Sequence, residues 1–266
     1  SLMFTREPER MPDMNDTWSK ADLHAHTTHS DGHASVEEVL EYASLCTDLR
    51  VVAVTDHDTI DGALEARSLA DEYGVEVVVG EEVSTADGEL LALFIEERLP
   101  PGRPASETIA AVHEQGGLCV AAHPYARMVP SMGRYLPGRC LGPSPEWPLD
   151  AVETFNAGLW TRYANDRAAR AADGLDLPPC GGSDSHHLAT LGLGYTYFPG
   201  DSAADLRASI EDGRTRAAGR PWGVGRTAEA IALISRRELR KLMGRIRYDR
   251  ERRRLSDGCA PHAESG

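Results

Sequence analysis

The chain has 266 residues, 41% of them hydrophobic and 26% charged, and its formal net charge is −14. This length can bury the core of one large α/β domain or of two small ones, and the composition is that of an ordinary globular protein. No run of about 18 apolar residues occurs, which excludes a membrane-spanning helix of the usual length, and the acidic excess disfavours non-specific binding of nucleic acid.

Short apolar runs alternate with helical patterns along the chain. After an early strand that ends in DLHAH (22–26), the apolar runs predict strands at 51–55, 75–80, 90–95, 117–122, 150–155 and 194–198. Helices are predicted at 35–48, 61–73, 106–115, 160–173, 203–213 and 228–254. Strands separated by single helices are typical of repeated βαβ units, so we expect a mainly parallel sheet with both faces covered.

Local signals support several helix ends. Ser35, followed three residues later by Glu38, forms the pattern of a capping box at the start of the first helix. Gly74 and Gly116 follow two other helices, where a left-handed residue is favoured.

Two segments depart from the regular alternation. The stretch 124–148 is rich in Pro and Gly and too long for an ordinary connection, so we expect a functional loop. Residues 235–255 carry ten Arg and Lys against three acids, whereas the rest of the chain holds eighteen against thirty-nine. This basic helix has an apolar stripe between Ile231 and Ile246, and we expect it to pack on the acidic body.

The N-terminus and the cysteines indicate where the protein works. Residues 1–20 are charged and lack the apolar segment of a signal peptide. The five cysteines are scattered without a CxxC pair, a pattern typical of reduced thiols rather than disulfides. We therefore expect a cytoplasmic protein that does not contact membranes.

Histidines and carboxylates recur at the ends of the predicted strands. Four histidines fall within ten residues: His24, His26, His29 and His33. Side chains alternate along a strand, so the first two share one face. Later strand ends carry Asp56, His57, Asp58, Glu81, Glu82, His123, Asp184 and His186. Strand ends carry the site in α/β sheets and barrels, so the recurrence predicts one centre, although each residue alone could be a helix cap or a solvated charge.

These candidate ligands are imidazoles and carboxylates without thiolates, a set that suits zinc, manganese or iron. One tetrahedral ion takes three or four ligands, fewer than the candidates present, so two or three ions with shared carboxylates fit the count. Clustered ions lower the pKa of a bound water and clamp the oxygens of a phosphoryl group. The residues therefore favour a hydrolase with an anionic substrate.

Five motifs stand in order between about residues 21 and 198: DLHAHTTHSDG, VTDHD, GEEVST, AHP and GGSDSH. In this order they resemble the PHP family, named for polymerase and histidinol phosphatase, and especially its small stand-alone phosphoesterases. The resemblance implies a distorted (β/α)7 TIM-like barrel in a single domain, with up to three divalent ions. It also implies hydrolysis of small phosphomonoesters or nucleotide-type phosphoesters by a hydroxide that bridges the ions.

The resemblance also implies residue roles. The first ion would be held by His24, His26, Glu81 and Asp184. Glu81 would bridge to a second ion that also takes His123. The third ion would be held by Asp31, His57 and His186. Asp31 or Asp58 would help to protonate the leaving oxygen, and His29 would bind substrate.

One departure from the family pattern concerns the second ion. Relatives commonly carry a histidine in the strand after the EVST motif, where this sequence has Glu89 in GELLALF. Glutamate can still ligate, and its hardness would favour manganese or magnesium over zinc. Alternatively, the second site is weakened or lost.

A second departure concerns size. Larger relatives insert a cap domain between the bridging glutamate and the AHP histidine, but only a strand, a helix and a strand separate Glu81 from His123. The stretch 124–148 is therefore the candidate lid. Four arginines in or after this loop could bind a phosphate group: Arg127, Arg134, Arg139 and Arg162. For any single one of them, a solvated surface arginine is the commoner case.

Two alternative functions stay open. Amidohydrolase barrels, which cleave C–N or ester bonds, also begin with an HxH strand. However, the two lysines, Lys20 and Lys241, do not end a mid-chain strand, where a carbamylated ligand would lie. The other alternative is a non-catalytic metal-binding interaction module tethered through the basic helix.

The predicted organisation is one catalytic domain with extensions. Residues 1–19 form an N-terminal extension, in which Ser1 and Leu2 look added for expression. The barrel spans 20–225, the basic helix packed on it spans 226–256, and a disordered tail spans 257–266. Expected partners are a small phosphorylated substrate and a second copy of the chain through the C-terminal helix, with nucleic acid only as a short nucleotide.

Overall fold

The structure of the chain is a computed structural model, and it describes residues 17–126, 129–132, 147–159 and 162–223. The predicted helix at 228–254, most of the loop at 124–148 and most of the N-terminal extension lie outside these ranges. The expected domain boundaries therefore stay predictions.

Nine strands and five helices alternate along the described residues. The strands are β1 (Trp18–Ala25), β2 (Leu49–Val54), β3 (Glu76–Thr85), β4 (Gly88–Leu93), β5 (Leu118–Ala121), β6 (Ala151–Asn156), β7 (Pro179–Gly182), β8 (Gly194–Pro199) and β9 (Arg216–Gly219). The helices are α1 (Val36–Cys46), α2 (Asp61–Tyr73), α3 (Ala105–Glu114), α4 (Arg162–Leu175) and α5 (Ala203–Glu211). None of these helices is long and apolar enough to cross a membrane.

The predicted elements agree with these bounds to within a few residues, with three exceptions. Strand β7, with the sequence PCGG, is not among the predicted strands. Strand β3 runs five residues beyond its predicted end at residue 80. Strand β9, with the sequence RAAG, has no alternation of apolar residues that would predict it. The capping box is confirmed, because the Ser35 hydroxyl accepts a hydrogen bond from Glu38 N–H and the Glu38 carboxylate accepts one from Ser35 N–H. Gly74 ends α2 with φ at 66°, a conformation that glycine adopts without strain.

The strands form one sheet in the order β7-β6-β5-β4-β3-β2-β1-β8-β9. Strands β1 to β3 are parallel to one another, as are β5 to β7, and β4 is antiparallel to both of its neighbours. The sheet curls until β1 meets the segment after β7: His26 N–H donates to the Ser185 carbonyl at 2.9 Å, and Ser185 N–H donates to the His24 carbonyl at 3.3 Å. The expected distorted (β/α)7 barrel is thus confirmed.

Strands β8 and β9 lie outside this ring. Strand β8 pairs antiparallel with Trp18–Ala21 at the start of β1, and β9 pairs antiparallel with β8.

Two apolar clusters stabilise the barrel. The first packs strand residues such as Val54 and Val79 against helices α1 to α4. The second contains the alternate strand residues, such as Val78 and Leu91, together with Phe198 of β8 and Leu206 of α5. Because side chains alternate along a strand, the second cluster fills the interior of the barrel, and α5 packs against it.

Strand β3 determines which carboxylate enters the barrel. Its second half, Gly80–Thr85, forms an antiparallel ladder with β4, so the strand continues through Glu81 and Glu82. Val78 belongs to the interior cluster, whereas Val79 and Val83 belong to the outer one. The alternation therefore turns Glu82 inward and Glu81 outward.

The interior cluster should account for a large part of the stability of the metal-free protein. Phe198 is fully buried in this cluster, so Phe198→Ala should lower the free energy of unfolding by about 3–5 kcal/mol, through lost burial and a residual cavity. Urea unfolding followed by circular dichroism measures this change. Leu45→Ala, at a position that is 75% exposed, is the control and should change the free energy by no more than about 0.5 kcal/mol. Equal losses in the two variants would contradict the assignment of the interior core.

Candidate metal centre

Five histidines and four carboxylates converge at the end of the barrel where the parallel strands β1 and β7 terminate. Six of the seven barrel strands, or the loops that follow them, supply these side chains. They are His24, His26, Asp31, His57, Glu82, Glu89, His123, Asp184 and His186. The cluster therefore depends on barrel closure and cannot form from any one segment of the chain.

Glu82 lies at the middle of this cluster and is only 1% exposed. Its Oε2 lies 3.1 Å from His24 Nε2, 3.2 Å from His57 Nδ1 and 3.3 Å from His26 Nε2. Its Oε1 lies 2.8 Å from His123 Nε2. One buried carboxylate thus contacts four imidazole rings, which is the arrangement expected of a ligand shared between metal ions.

The structure therefore has Glu82, rather than the expected Glu81, at the centre of the cluster, and which residue bridges metal ions stays a proposal. Glu81 faces outward, where its Oε2 accepts a hydrogen bond from Leu99 N–H at 2.9 Å. Burial raises the pKa of Glu81 to about 7. The GEE motif offers two adjacent carboxylates, and the pairing of β3 with β4 decides which one enters the barrel.

Asp184 lies beside His24 of β1 and beside His26, which directly follows β1. Its Oδ1 is 3.4 Å from His26 Nε2 and 3.6 Å from His24 Nε2. Asp184 and His123 both adopt positive φ values, 54° and 27°. Such strain in a non-glycine residue persists only where the surroundings impose it, and it is concentrated at functional sites.

Asp31 lies against three rings on the other side of the cluster. Its Oδ1 is 3.2 Å from His186 Nε2 and 3.8 Å from both His26 Nδ1 and His57 Nε2. Burial favours a higher pKa for Asp31, but the hydrogen bond and charge of His186, with the other two rings, hold it well below its usual range. Asp31 is therefore ionised, which suits a ligand and argues against the predicted role of proton donor.

Glu89 reaches the cluster from β4, at the position where relatives carry a histidine. Its Oε2 lies 3.7 Å from His123 Nε2, and its Oε1 lies 3.9 Å from His57 Nδ1. Burial and the negative charge of Glu82 raise its pKa to about 8. The side chain is thus available at the predicted second site, where it carries a proton at neutral pH when no cation is bound.

The donor atoms fit divalent metal ions. Among the described residues, the buried ring nitrogens that lack a hydrogen bond of good geometry include His24 Nε2, both nitrogens of His26, and His123 Nδ1. Buried polar atoms without partners are costly, and a cation among these rings would satisfy the ones that face Glu82 and Asp184. Four overlapping sets have ligand atoms within 4.8 Å of one another: His24, His26 and Asp184; His24, Glu82 and His123; His57, Glu82 and Glu89; and His26, Asp31, His57 and His186.

The histidines and carboxylates shift one another's pKa. Burial alone would lower the pKa of His26, but the close carboxylates of Asp184 and Glu82 raise it to about 10. Burial is likewise outweighed at His123, where the hydrogen bond to Glu82 raises the pKa to about 9. The pKa of Glu82 is held well below its usual range by its histidine neighbours, although burial opposes this. Without metal, the rings of His26 and His123 therefore hold protons that a metal ion must displace.

Several predicted site residues lie apart from this cluster or outside the described residues. His29 Nε2 is 2.7 Å from Glu65 Oε2 on α2, so this ring contacts a helix rather than the centre. Asp58 Oδ1 accepts a hydrogen bond from Ser84 N–H at 2.8 Å and thereby ties the β2–α2 loop to β3. Arg127, Arg134, Arg139 and the side chain of Arg162 lie outside the described part of the chain.

The sequence motifs do not reveal two buried residues of β6. Glu153 Oε1 lies 3.1 Å from His24 Nδ1, and Glu153 Oε2 accepts a hydrogen bond from His123 N–H at 2.6 Å. Asn156 Nδ2 donates to Glu153 and to Asp184, at 3.1 Å each. The available signal was a carboxylate in the apolar run DAVETF, because a buried acid in a strand needs a partner.

Two family models match the chain. The PHP domain model matches residues 22–141, and the PHP-associated model matches residues 162–215. An uncharacterized protein of Methanocaldococcus jannaschii is 39% identical over 149 residues, which cover 52% of this chain and 82% of that protein. Phosphoribosyl 1,2-cyclic phosphate 1,2-diphosphodiesterase of Eggerthella lenta is 44% identical over 85 residues, which cover 30% of this chain and 32% of that enzyme.

The fold also matches a solved structure. A two-domain protein of Bacteroides vulgatus, described as containing a predicted PHP-like metal-dependent phosphoesterase, superposes with a TM-score of 0.63 at 18% identity. The match covers 81% of this chain and 69% of that one. With the motifs, the barrel and the converging ligands, these matches show that the chain belongs to the PHP family of metal-dependent phosphoesterases.

Proposed function

We propose that this protein hydrolyses small phosphomonoesters or nucleotide-type phosphoesters at a centre of two or three divalent ions, such as manganese, zinc or iron. The observation that carries the proposal is Glu82, a buried carboxylate with four imidazole nitrogens between 2.8 and 3.3 Å away. A group with this many partners of opposite charge suits ion binding better than a purely structural ion pair.

The first two of the three proposed ligand sets share Glu82. The first ion would be held by His24, His26, Glu82 and Asp184. The second would be held by Glu82, Glu89 and His123, and the third by Asp31, His57 and His186. Divalent ions held by these residues would lower the pKa of a nearby water and offset the negative charge of a phosphoryl group.

Two buried aspartates would position the segments that carry these ligands. Asp56 accepts hydrogen bonds from the Thr27 backbone at 2.8 Å and the Thr27 hydroxyl at 2.7 Å, at the start of the loop that leads to Asp31. Asp22 accepts from Ser183 N–H at 2.8 Å, next to Asp184. We propose that these carboxylates orient ligands and do not transfer protons.

Phosphate is favoured over an amide as the substrate group. Clustered cations attract an anionic group more strongly than a neutral one, and a phosphoester supplies that charge. The name of the Eggerthella lenta relative, a phosphodiesterase, supports the same class of bond. Lys20 lies four residues before His24, and its Nζ pairs with Asp48 at 2.6 Å, so it is not available as a carbamylated ligand.

The bridging role makes a differential prediction for the two adjacent glutamates of β3. Glu82→Gln should reduce the bound metal by more than one ion per chain, because it removes a ligand shared by two sites. Glu81→Gln should keep the metal content of the unmodified protein, since Glu81 faces outward. Elemental analysis after incubation with manganese and gel filtration measures both variants. Equal metal loss in the two would mean that Glu82 is not the bridge.

Proton displacement makes a pH prediction. In the metal-free protein His26, with a pKa near 10, His123, near 9, and Glu89, near 8, hold protons at pH 7. Metal affinity should rise by about tenfold per pH unit for each proton displaced. Calorimetric titration with manganese between pH 6 and pH 8, in buffers of different ionisation enthalpy, counts these protons. Binding without proton release would contradict the assigned ligands.

The stability of the metal-free protein should fall as the pH rises, whereas metal affinity should rise. The raised pKa values of His26 and His123 stabilise the fold fully below about pH 6.5, the unfolded value, and this stabilisation is lost as the pH rises through 9–10. The lowered pKa of Glu82 adds a contribution that is complete above about pH 4.5. Thermal melts of the metal-free protein from pH 6.5 to pH 10 should therefore show a falling midpoint, and a rising one would contradict the assigned charge states.

Activity tests the proposal directly. The metal-loaded protein should release phosphate or a phosphomonoester from a panel of sugar phosphates, nucleotides and cyclic or linear diesters. His26→Ala and Asp184→Ala should reduce this release to background. His113→Ala is the matched control, because His113 pairs with Asp150 on the outside of the barrel. Cleavage of amides or lactones without hydrolysis of any phosphoester, with manganese, zinc and iron each tried, would overturn the proposed function.

A further inference from the structure

A buried carboxylate of β6 contacts the back of one proposed ligand. Glu153 is 1% exposed, and its Oε1 lies 3.1 Å from His24 Nδ1, the ring nitrogen that points away from Glu82 and Asp184. A carboxylate can only accept a hydrogen bond, so His24 Nδ1 must carry the proton. The other ring nitrogen, Nε2, faces Glu82 at 3.1 Å and Asp184 at 3.6 Å.

Glu153 is itself fixed by two donors on its other oxygen. Its Oε2 accepts from His123 N–H at 2.6 Å and from Asn156 Nδ2 at 3.1 Å. The same amide group donates to Asp184 Oδ2 at 3.1 Å. The backbone of Asn156 is held in turn by Asn165 on α4, which donates to its carbonyl at 3.1 Å and accepts from its N–H at 3.2 Å.

The close approach of these groups requires a glycine in the next strand. A Cβ atom at Gly182 would lie 2.5 Å from His24 Cβ and 2.7 Å from Glu153 Oε1. These contacts are too short for any larger residue, so β7 leaves room for the pair of Glu153 and His24.

We infer that Glu153 is a positioning residue that keeps the proton of His24 on Nδ1 and thereby leaves Nε2 free to bind metal, with Asn156 linking Glu153 to Asp184. Carboxylate partners of this kind fix the tautomer and orientation of ligand histidines. The inference deepens the proposed function and rests on its ion-binding centre.

Glu153→Gln tests the tautomer with almost no change in shape. The donors His123 N–H and Asn156 Nδ2 require an acceptor, so the glutamine oxygen must face them and its NH2 group must face His24 Nδ1. Because that NH2 group can only donate, the proton of a neutral His24 moves to Nε2, which can then no longer ligate. The variant should bind manganese or zinc about 10–100-fold more weakly at one site.

Two readouts separate this role from a general loss of structure. Nitrogen-15 NMR of the zinc-loaded protein should show His24 protonated at Nδ1, and Glu153→Gln should lose that signature. The melting temperature of the metal-free variant should stay close to that of the unmodified protein. Glu81→Gln is the control, because Glu81 is a buried glutamate that faces outward. This variant should retain both the metal affinity and the Nδ1 tautomer of His24.

A second variant keeps the test decisive if Glu153→Gln does not fold. Glu153→Asp retains the charge but withdraws the carboxylate by one methylene group, and it should also weaken ion binding. Metal affinity at the level of the unmodified protein in either folded variant overturns the inference, and so does failure of both metal-free variants to fold, which would assign Glu153 a structural role. Ion binding without any phosphoester hydrolysis by the unmodified protein would overturn the proposed function and leave this inference standing.

Discussion

The structure depends on one electrostatic constraint, the burial of several ionisable groups at one end of the barrel. An isolated buried charge is too costly to persist, so each charge needs a partner or a metal ion. Glu82 satisfies this requirement for four imidazoles at once. Without metal, the pKa shifts balance the charges: His26 and His123 hold protons, and Glu82 is ionised.

Barrel closure brings these partners together. The two backbone hydrogen bonds between β1 and Ser185 join the first strand to the segment after the seventh, and Asp22 strengthens this join by accepting from Ser183 and Gly192. His24 and Asp184 are 160 residues apart in the chain, yet they lie within 3.6 Å of each other.

The antiparallel strand β4 distinguishes this barrel from a regular alternation of parallel strands and helices. Its ladder with β3 carries that strand past Gly80, brings Glu82 inward, and places Glu89 near His57 and His123. A carboxylate at this position adds one more negative charge beside Glu82, which is why its pKa rises. A cation bound between these two carboxylates would remove this repulsion.

The sequence by itself determined the class of fold, the described helices, most of the strands and most of the candidate ligands, because apolar periodicity and strand-end chemistry are local properties of the chain. Strands β7 and β9 were missed, because PCGG and RAAG carry no apolar alternation. The ordered motifs identified His24, His26, His57, His123, Asp184 and His186 as one group, and the structure brings them together. Only the tertiary structure decided between Glu81 and Glu82, because adjacent residues of a strand face opposite sides and the antiparallel pairing with β4 sets which side is the interior. Only the tertiary structure revealed Glu153 and Asn156. The carboxylate of Glu153 contacts His24, which is 129 residues away in the chain, and the absence of a side chain at Gly182 allows this contact.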